Sequence, residues 1–112
     1  MEERQAVESL AALAQPVRLR VFRALVGAGN EGMTPGTLGS LLDVAPSTLS
    51  FHLRELMNAG LVRQERDGRH LIYHAALEQM NDLMDYLAAH CCLGAGCEEL
   101  PGRKAGNARK AC

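Results

Sequence analysis

The 112-residue chain has no tryptophan and only two tyrosines and two phenylalanines. A core this poor in rings has to be filled by aliphatic side chains, and the abundance of Leu, Ala, Val and Met favours helices packed through aliphatic stripes. No apolar run approaches the ~20 residues that span a bilayer, so no membrane association is expected. The opening Met1-Glu2-Glu3-Arg4 is acidic where a secretory leader is basic and then apolar, which points to the cytoplasm. Net charge is lacking too: 12 Lys and Arg against 13 Asp and Glu leave −1, which argues against a generally basic nucleic-acid-binding surface. A disulfide framework is excluded by spacing. Three of the four cysteines, Cys91, Cys92 and Cys97, fall within seven residues, and adjacent half-cystines cannot staple distant parts of a fold. What remains is one globular domain with a single core, 47% hydrophobic and 22% charged.

The small net charge conceals an uneven distribution. Residues 1–33 balance four Arg with four Glu, and residues 46–76 hold Arg54, Arg63, Arg66 and Arg69 against Glu55, Glu65 and Asp67. Residues 77–100 carry five acids and no base, whereas the last twelve carry Arg103, Lys104, Arg109 and Lys110 and no acid. A solvated surface with a basic tail accounts for these sums, unless the arginines share one structural element.

Val7, Leu10, Ala11 and Ala14 recur at helical spacing and predict a first helix over about 3–14. Pro16 opens a second, with apolar side chains at 17, 21, 22, 25 and 26 and glycines 27 and 29 near its end. Thr34-Pro35, a capping hydroxyl followed by proline, starts a short third helix containing Leu38, Leu41 and Leu42 and ending near Asp43. Pro46 opens a fourth that runs to about Ala59, with Gly60 as its stop. A helix of about two turns joined to the next by three residues is a helix-turn-helix pattern. Residues 61–66 and 69–74 favour strands, and Asp67-Gly68 between them suits a two-residue hairpin turn, making a β-wing. From Leu77 the spacing is helical again through Met80, Met84, Leu87 and Cys91, so a fifth helix should end near the cysteines. The expected fold is mainly α with a small β-hairpin: a winged helix-turn-helix of about five helices and a two-stranded wing. It divides into a domain over 1–92 and a flexible segment over 93–112 that contributes one of the clustered cysteines.

At about 100° per residue, Leu49, Leu53 and Leu56 define one face of the fourth helix, and Ser47, Phe51, Arg54 and Asn58 fall opposite. A solvent-facing row containing Phe has no structural purpose on a plain surface helix, but it suits a DNA major groove. Ser47, Thr48, Ser50 and Arg54 can bond phosphates or base edges, and the edge of Phe51 can meet a thymine methyl. The alternative for Phe51 is packing on the wing or a neighbouring helix. His52, at the edge of the buried stripe, fits a hydrogen-bonded boundary residue better than a metal ligand. Arg66 and Arg69 flank the hairpin tip, from which cations reach phosphates or the adjacent minor groove.

The run Leu13-Ala14-Gln15-Pro16-Val17-Arg18-Leu19, then Ser47-Thr48-Leu49-Ser50-Phe51-His52-Leu53-Arg54-Glu55-Leu56, Ala59-Gly60-Leu61-Val62, Arg66-Asp67-Gly68-Arg69 and Tyr73, resembles the ArsR/SmtB family of winged-helix repressors. The likeness covers about residues 8–90. It implies a homodimer, with its interface on the first and last helices, that binds a palindromic double-stranded operator and releases it when a metal or metalloid binds. One departure is informative. Arsenite sensors of the family carry cysteines on the first helix of the helix-turn-helix, and Thr37-Leu38-Gly39-Ser40-Leu41-Leu42-Asp43 has none. The paired Asp and His ligands of zinc-sensing members are also missing from the last helix, where His90 is the only His and neither Asp82 nor Asp85 has a matching ligand at the required sequence spacing. The cysteine cluster is similar to a third arrangement in the family, a vicinal pair at the end of the last helix with another Cys shortly after.

Cys91, Cys92 and Cys97 supply three thiolates with no hard ligand near them in sequence, and a soft, thiophilic ion selects such a set. Trivalent arsenic takes three sulfurs in a trigonal pyramid, whereas structural zinc closes a tetrahedron of four. Gly94 and Gly96 allow Cys97 to turn back toward the pair. The expected inducer is therefore As(III), with Sb(III) or methylated As(III) as relatives and Cys112 dispensable. Core packing, a thiol redox switch, and a zinc or cadmium site recruiting Cys112 or His90 remain as alternatives. A different class would be a small arsenic-binding thiol protein without a DNA role. No enzymatic activity is expected, because an arsenate reductase needs a nucleophilic Cys in an anion-binding loop and none precedes Cys91.

Overall fold

The computed structural model describes residues 1–89. Their elements are α1 (Glu3–Leu13), α2 (Pro16–Ala28), a 3₁₀ turn (Gly29–Glu31), α3 (Pro35–Leu42), α4 (Pro46–Asn58), β1 (Val62–Asp67), β2 (His70–Ala75) and α5 (Leu77–Ala88). Three helices begin at a proline, where the missing N–H costs nothing because the first turn has no intrahelical acceptor for it. Side chains satisfy further orphan amides. Gln15 Oε1 accepts from the Arg18 amide at 2.8 Å and Thr34 Oγ1 from the Thr37 amide at 3.2 Å. Asp43 ends α3 in the left-handed region at φ 55°, a conformation that Asp tolerates better than most side chains, and Val44-Ala45 lead into α4.

The core is aliphatic, as the shortage of rings requires. Val21, Phe22 and Leu25 of α2 meet Leu38 of α3, Leu49, Leu53 and Leu56 of α4, and Leu61, Val62, Tyr73 and Ala75 at the base of the hairpin. Each fully buried leucine contributes roughly 1.5–3 kcal/mol, so the stripe on α4 is the main force holding that helix against α2 and α3. On the far side of β2 a single bridge joins Met33 to Tyr73, with N···O distances of 3.0 and 2.8 Å. Gly32, just before it, adopts φ +65°, and a Cβ there would lie 2.5 Å from the Tyr73 carbonyl oxygen.

Three details add to or depart from the sequence expectation. The strands are displaced by one residue, pairing Val62 with Ala75 and Asp67 with His70, so the turn is Gly68-Arg69 rather than Asp67-Gly68. Burial sets this register: it places Val62, Tyr73 and Ala75 together in the core, and Gly68, at φ +63°, takes the first turn position, where a two-residue hairpin needs glycine. On α1 the buried residues are Ala6, Ser9 and Ala12, while Val7 and Leu10 of the apolar stripe face outward. Small side chains let α1 approach its neighbours closely, and the bulky ones are left on the outside. On α5 likewise Leu83 and Ala88 are buried, whereas Leu77, Met84 and Leu87 are exposed. Third, α5 stops at Ala88, with Ala89 already extended at ψ 137°, three residues before the position where the stripe would reach Cys91. His90, Cys91, Cys92, Cys97, Cys112 and the expected boundary between 92 and 93 lie outside the described residues.

Candidate nucleic-acid interface

Helix α4 presents two unlike faces. Leu49, Leu53 and Leu56 are at most 2% exposed, and the opposite side carries Ser47, Thr48, Ser50, Phe51, Arg54 and Asn58, all exposed. Phe51 keeps half of its surface accessible and turns its ring edge-on to His52, the centroids 5.3 Å apart. A groove of about 620 Å³ runs between α3 and the first turn of α4, lined by the small residues Gly36, Ser40, Ala45, Pro46 and Ser50 among others. Beside it, Leu41 of α3 is exposed rather than part of the core.

The wing extends from the same side of the core as the end of α4, to which Leu56 and Leu61 bind it by a backbone hydrogen bond of 3.0 Å. One row is Val62, Gln64 and Arg66, opposite Ala75, Tyr73 and Leu71, and of its β1 residues only Val62 is buried. Gln64 donates to the Tyr73 hydroxyl at 3.2 Å. The other row is Arg63, Glu65 and Asp67, opposite His74, Ile72 and His70, and Glu65 holds the buried His74 ring at 2.9 Å. Arg63, Arg66 and Arg69 are all exposed, and Arg69 lies in the turn itself rather than at the start of β2.

His52 is buried and is held by Arg18, whose Nη1 lies 3.3 Å from its Nδ1. Burial, and then the Arg18 charge, lower its pKa below the ordinary 6.5, with Glu55 acting in the opposite sense. The stripe-edge position already suggests a hydrogen-bonded residue. Its partner is less legible, because Arg18 sits 34 residues away, and only its place in the first turn of α2 hints that it faces the end of α1.

Together, these features place a helix bearing hydroxyls, an arginine and a half-exposed ring next to a hairpin tipped with arginines. No group of three or more His, Cys, Asp or Glu side chains suited to a metal occurs among the described residues, and the cysteines Cys91, Cys92 and Cys97 are not among them. No helix among the described residues is long and apolar enough to cross a membrane.

Comparison with known proteins agrees with this geometry. Residues 13–65 match a helix-turn-helix domain family. Over 80 residues, 71% of this chain and 79% of the other, the chain is 29% identical to the HTH-type transcriptional regulator YgaV of Escherichia coli strain K12. Over 68 residues, 61% of this chain and 52% of the other, it is 37% identical to a Halobacterium salinarum protein named as a candidate arsenical resistance operon repressor, ArsR. An ArsR-like transcriptional regulator from Rhodococcus sp. RHA1 superposes with a TM-score of 0.67 at 25% identity, covering 74% of this chain and 76% of that one.

Proposed function

We propose that the chain, similar to ArsR-like winged helix-turn-helix transcriptional regulators, is an operator-binding repressor whose inducer is trivalent arsenic, taken up by Cys91, Cys92 and Cys97. The observation that carries the DNA half of this reading is the exposed row Ser47, Phe51, Arg54 and Asn58 opposite a fully buried leucine stripe. Such a row inserts into a major groove, where Ser47, Thr48, Ser50 and Arg54 reach phosphates and base edges. Small residues along the α3–α4 groove leave room for a sugar-phosphate strand. Arg66 and Arg69 carry the wing to the flanking backbone or minor groove.

The outward apolar residues Val7 and Leu10 of α1 and Met84 and Leu87 of α5 support a homodimer. A two-fold dimer sets two copies of α4 about one DNA turn, ~34 Å, apart. The chemistry of the donor set supports the inducer: three thiolates satisfy a pyramidal As(III) completely. The relationship to a protein named for arsenical resistance points the same way. Thiolates gathered beyond the end of α5 would reorganise the dimer helix and change the spacing of the two α4 helices, weakening both half-sites at once. Coupling of this kind is typically about 5–150-fold in affinity, and by linkage operator DNA weakens arsenic binding to the same degree.

The experiment is a gel shift on the promoter DNA upstream of the protein's own gene, titrated with arsenite, for the wild type and for Cys91→Ser, Cys92→Ser and Cys97→Ser. Release of DNA by arsenite in the wild type, lost in the variants, is the expected result. Release by cadmium, zinc or oxidant alone would transfer the site to another inducer, and normal release by all three variants would remove the cluster from sensing. Arsenic binding without any DNA binding would favour a thiol protein of another class.

A further inference from the structure

Arg18 joins three helices. Its amide donates to Gln15 Oε1 at the start of α2, and its Nε donates to the Ala12 carbonyl at the end of α1 at 2.7 Å. Its Nη1 reaches Nδ1 of His52 in the middle of α4 at 3.3 Å. A guanidinium has donors only, so Nδ1 is the bare nitrogen of the imidazole and the ring proton sits on Nε2. His52 is buried, and the half-exposed ring of Phe51 stands edge to face against it at an interplanar angle of 67°. Phe51, on the proposed DNA-facing row, thus leans on an imidazole whose orientation is fixed from two other helices.

We propose that Arg18 and His52 are positioning residues for DNA recognition: their hydrogen bond holds the Phe51 ring and the middle of α4 in the DNA-binding orientation, and a proton on His52 releases them. This rests on the DNA-binding reading given above. Arg18 faces His52 from α2, and two further charged groups lie near the pair: Glu55 on α4 itself, and Glu8 of α1, which lines the same cavity of about 310 Å³ as Arg18 and Glu55. The tie requires the neutral ring. Protonated Nδ1 offers no lone pair and sets a second positive charge against the guanidinium. Burial and the Arg18 charge both favour the neutral form, so the ring takes its proton below pH 6.5. Affinity for DNA therefore falls on acidification. A histidine that merely touched phosphate would act in the opposite sense, gaining affinity as it became charged.

The test combines two measurements. Imidazole nitrogen NMR on the full chain at pH 7.5 should show His52 with its proton on Nε2, and Arg18→Gln should move the His52 titration toward 6.5. Affinity for the promoter duplex, measured at constant ionic strength from pH 7.5 downward as far as circular dichroism shows a folded chain, should fall in the wild type in step with the His52 titration read by NMR, reaching about tenfold once the ring is largely protonated, as for loss of one hydrogen bond to a charged group. His52→Asn keeps an acceptor near the Nδ1 position but loses the ring against Phe51. It should bind several-fold more weakly at pH 7.5 and lack the acid-dependent loss. Arg18→Leu should lose affinity at every pH, and Arg18→Lys should restore part of it, with circular dichroism confirming that each variant is folded. A proton on Nδ1 at pH 7.5, or the same pH profile in His52→Asn as in the wild type, overturns the proposal. Equal affinity of the wild type for promoter and scrambled duplexes at every pH overturns the DNA reading and this proposal with it. That outcome is recognisable because the NMR result stands apart from DNA.

Discussion

Gln79, in the first turn of α5, donates from its Nε2 to the hydroxyl of Ser9 on α1 across 3.1 Å, and Ser9 is completely buried. The same Gln79 side chain packs where a Cβ on Gly60 would lie 3.7 Å away, just beyond the end of α4. One residue therefore touches both helices that carry outward apolar faces and the end of the helix proposed to enter DNA. Gln79→Leu leaves the Ser9 hydroxyl buried without its partner, a loss of about 1–3 kcal/mol. Urea denaturation should show this loss, and the double variant Ser9→Ala/Gln79→Leu should recover part of it. Additive effects would mean that the two side chains act independently.

The wing is expected to act through charge. Removing one phosphate contact reduces the slope of log affinity against log salt by about one. Arg69→Ala and Arg66→Ala should each flatten that slope and weaken binding to all sequences alike, whereas Ser47→Ala and Phe51→Ala should change which sequences are preferred. Fluorescence anisotropy at several salt concentrations separates the two behaviours, and an unchanged slope for Arg69→Ala would remove that side chain from the phosphate contacts.

Two glycines with nearly the same backbone conformation should respond unequally to alanine. Gly68, at φ +63°, has nothing within 4 Å of an added Cβ, so Gly68→Ala incurs only the left-handed strain of about 1–2 kcal/mol. Gly32, at φ +65°, would set its Cβ 2.5 Å from the Tyr73 carbonyl oxygen and 2.8 Å from the His74 ring. Gly32→Ala must therefore break the Met33–Tyr73 bridge or displace β2, and its melting temperature should fall clearly further than that of Gly68→Ala. Equal losses would show that strain alone governs both sites.

Leu87 and Val7 are each 58% exposed on adjacent helices. If the outward faces of α1 and α5 meet a second copy, Leu87→Glu or Val7→Arg should shift sedimentation velocity profiles toward the monomer at micromolar concentration while leaving the helical circular dichroism signal intact. Wild-type sedimentation as a monomer at these concentrations would remove the dimer from the proposed mechanism.

The sequence made some of this legible through local rules. Pro16, Pro35 and Pro46 mark helix starts because a proline can occupy the first turn and little else of a helix. The spacing of Leu49, Leu53 and Leu56 identifies the buried face of α4, and so the exposed row opposite it, without any tertiary information. Other features depend on contacts that local rules do not see. Periodicity reveals the stripe through Val7 and Leu10, but burial requires knowing that Ala6, Ser9 and Ala12 are small enough for close approach. The hairpin shifts by one residue because core burial, not the turn dipeptide, sets the register. Arg18 with His52 and Ser9 with Gln79 join residues 34 and 70 positions apart, and no short motif announces either pair. The thiol chemistry is read from Cys91, Cys92 and Cys97 in the sequence alone.

The wing has a consequence for solubility. Among the described residues β1 pairs only with β2, so its outer edge offers unpaired amides and carbonyls to any other strand. Four of its six residues, Arg63, Glu65, Arg66 and Asp67, are charged, a pattern that discourages edge-to-edge aggregation. On the proposed DNA-binding reading, contact with DNA and protection against edge pairing rest on overlapping side chains. A variant neutralised throughout β1 to abolish DNA contact would also lose its protection against sticking to its own kind.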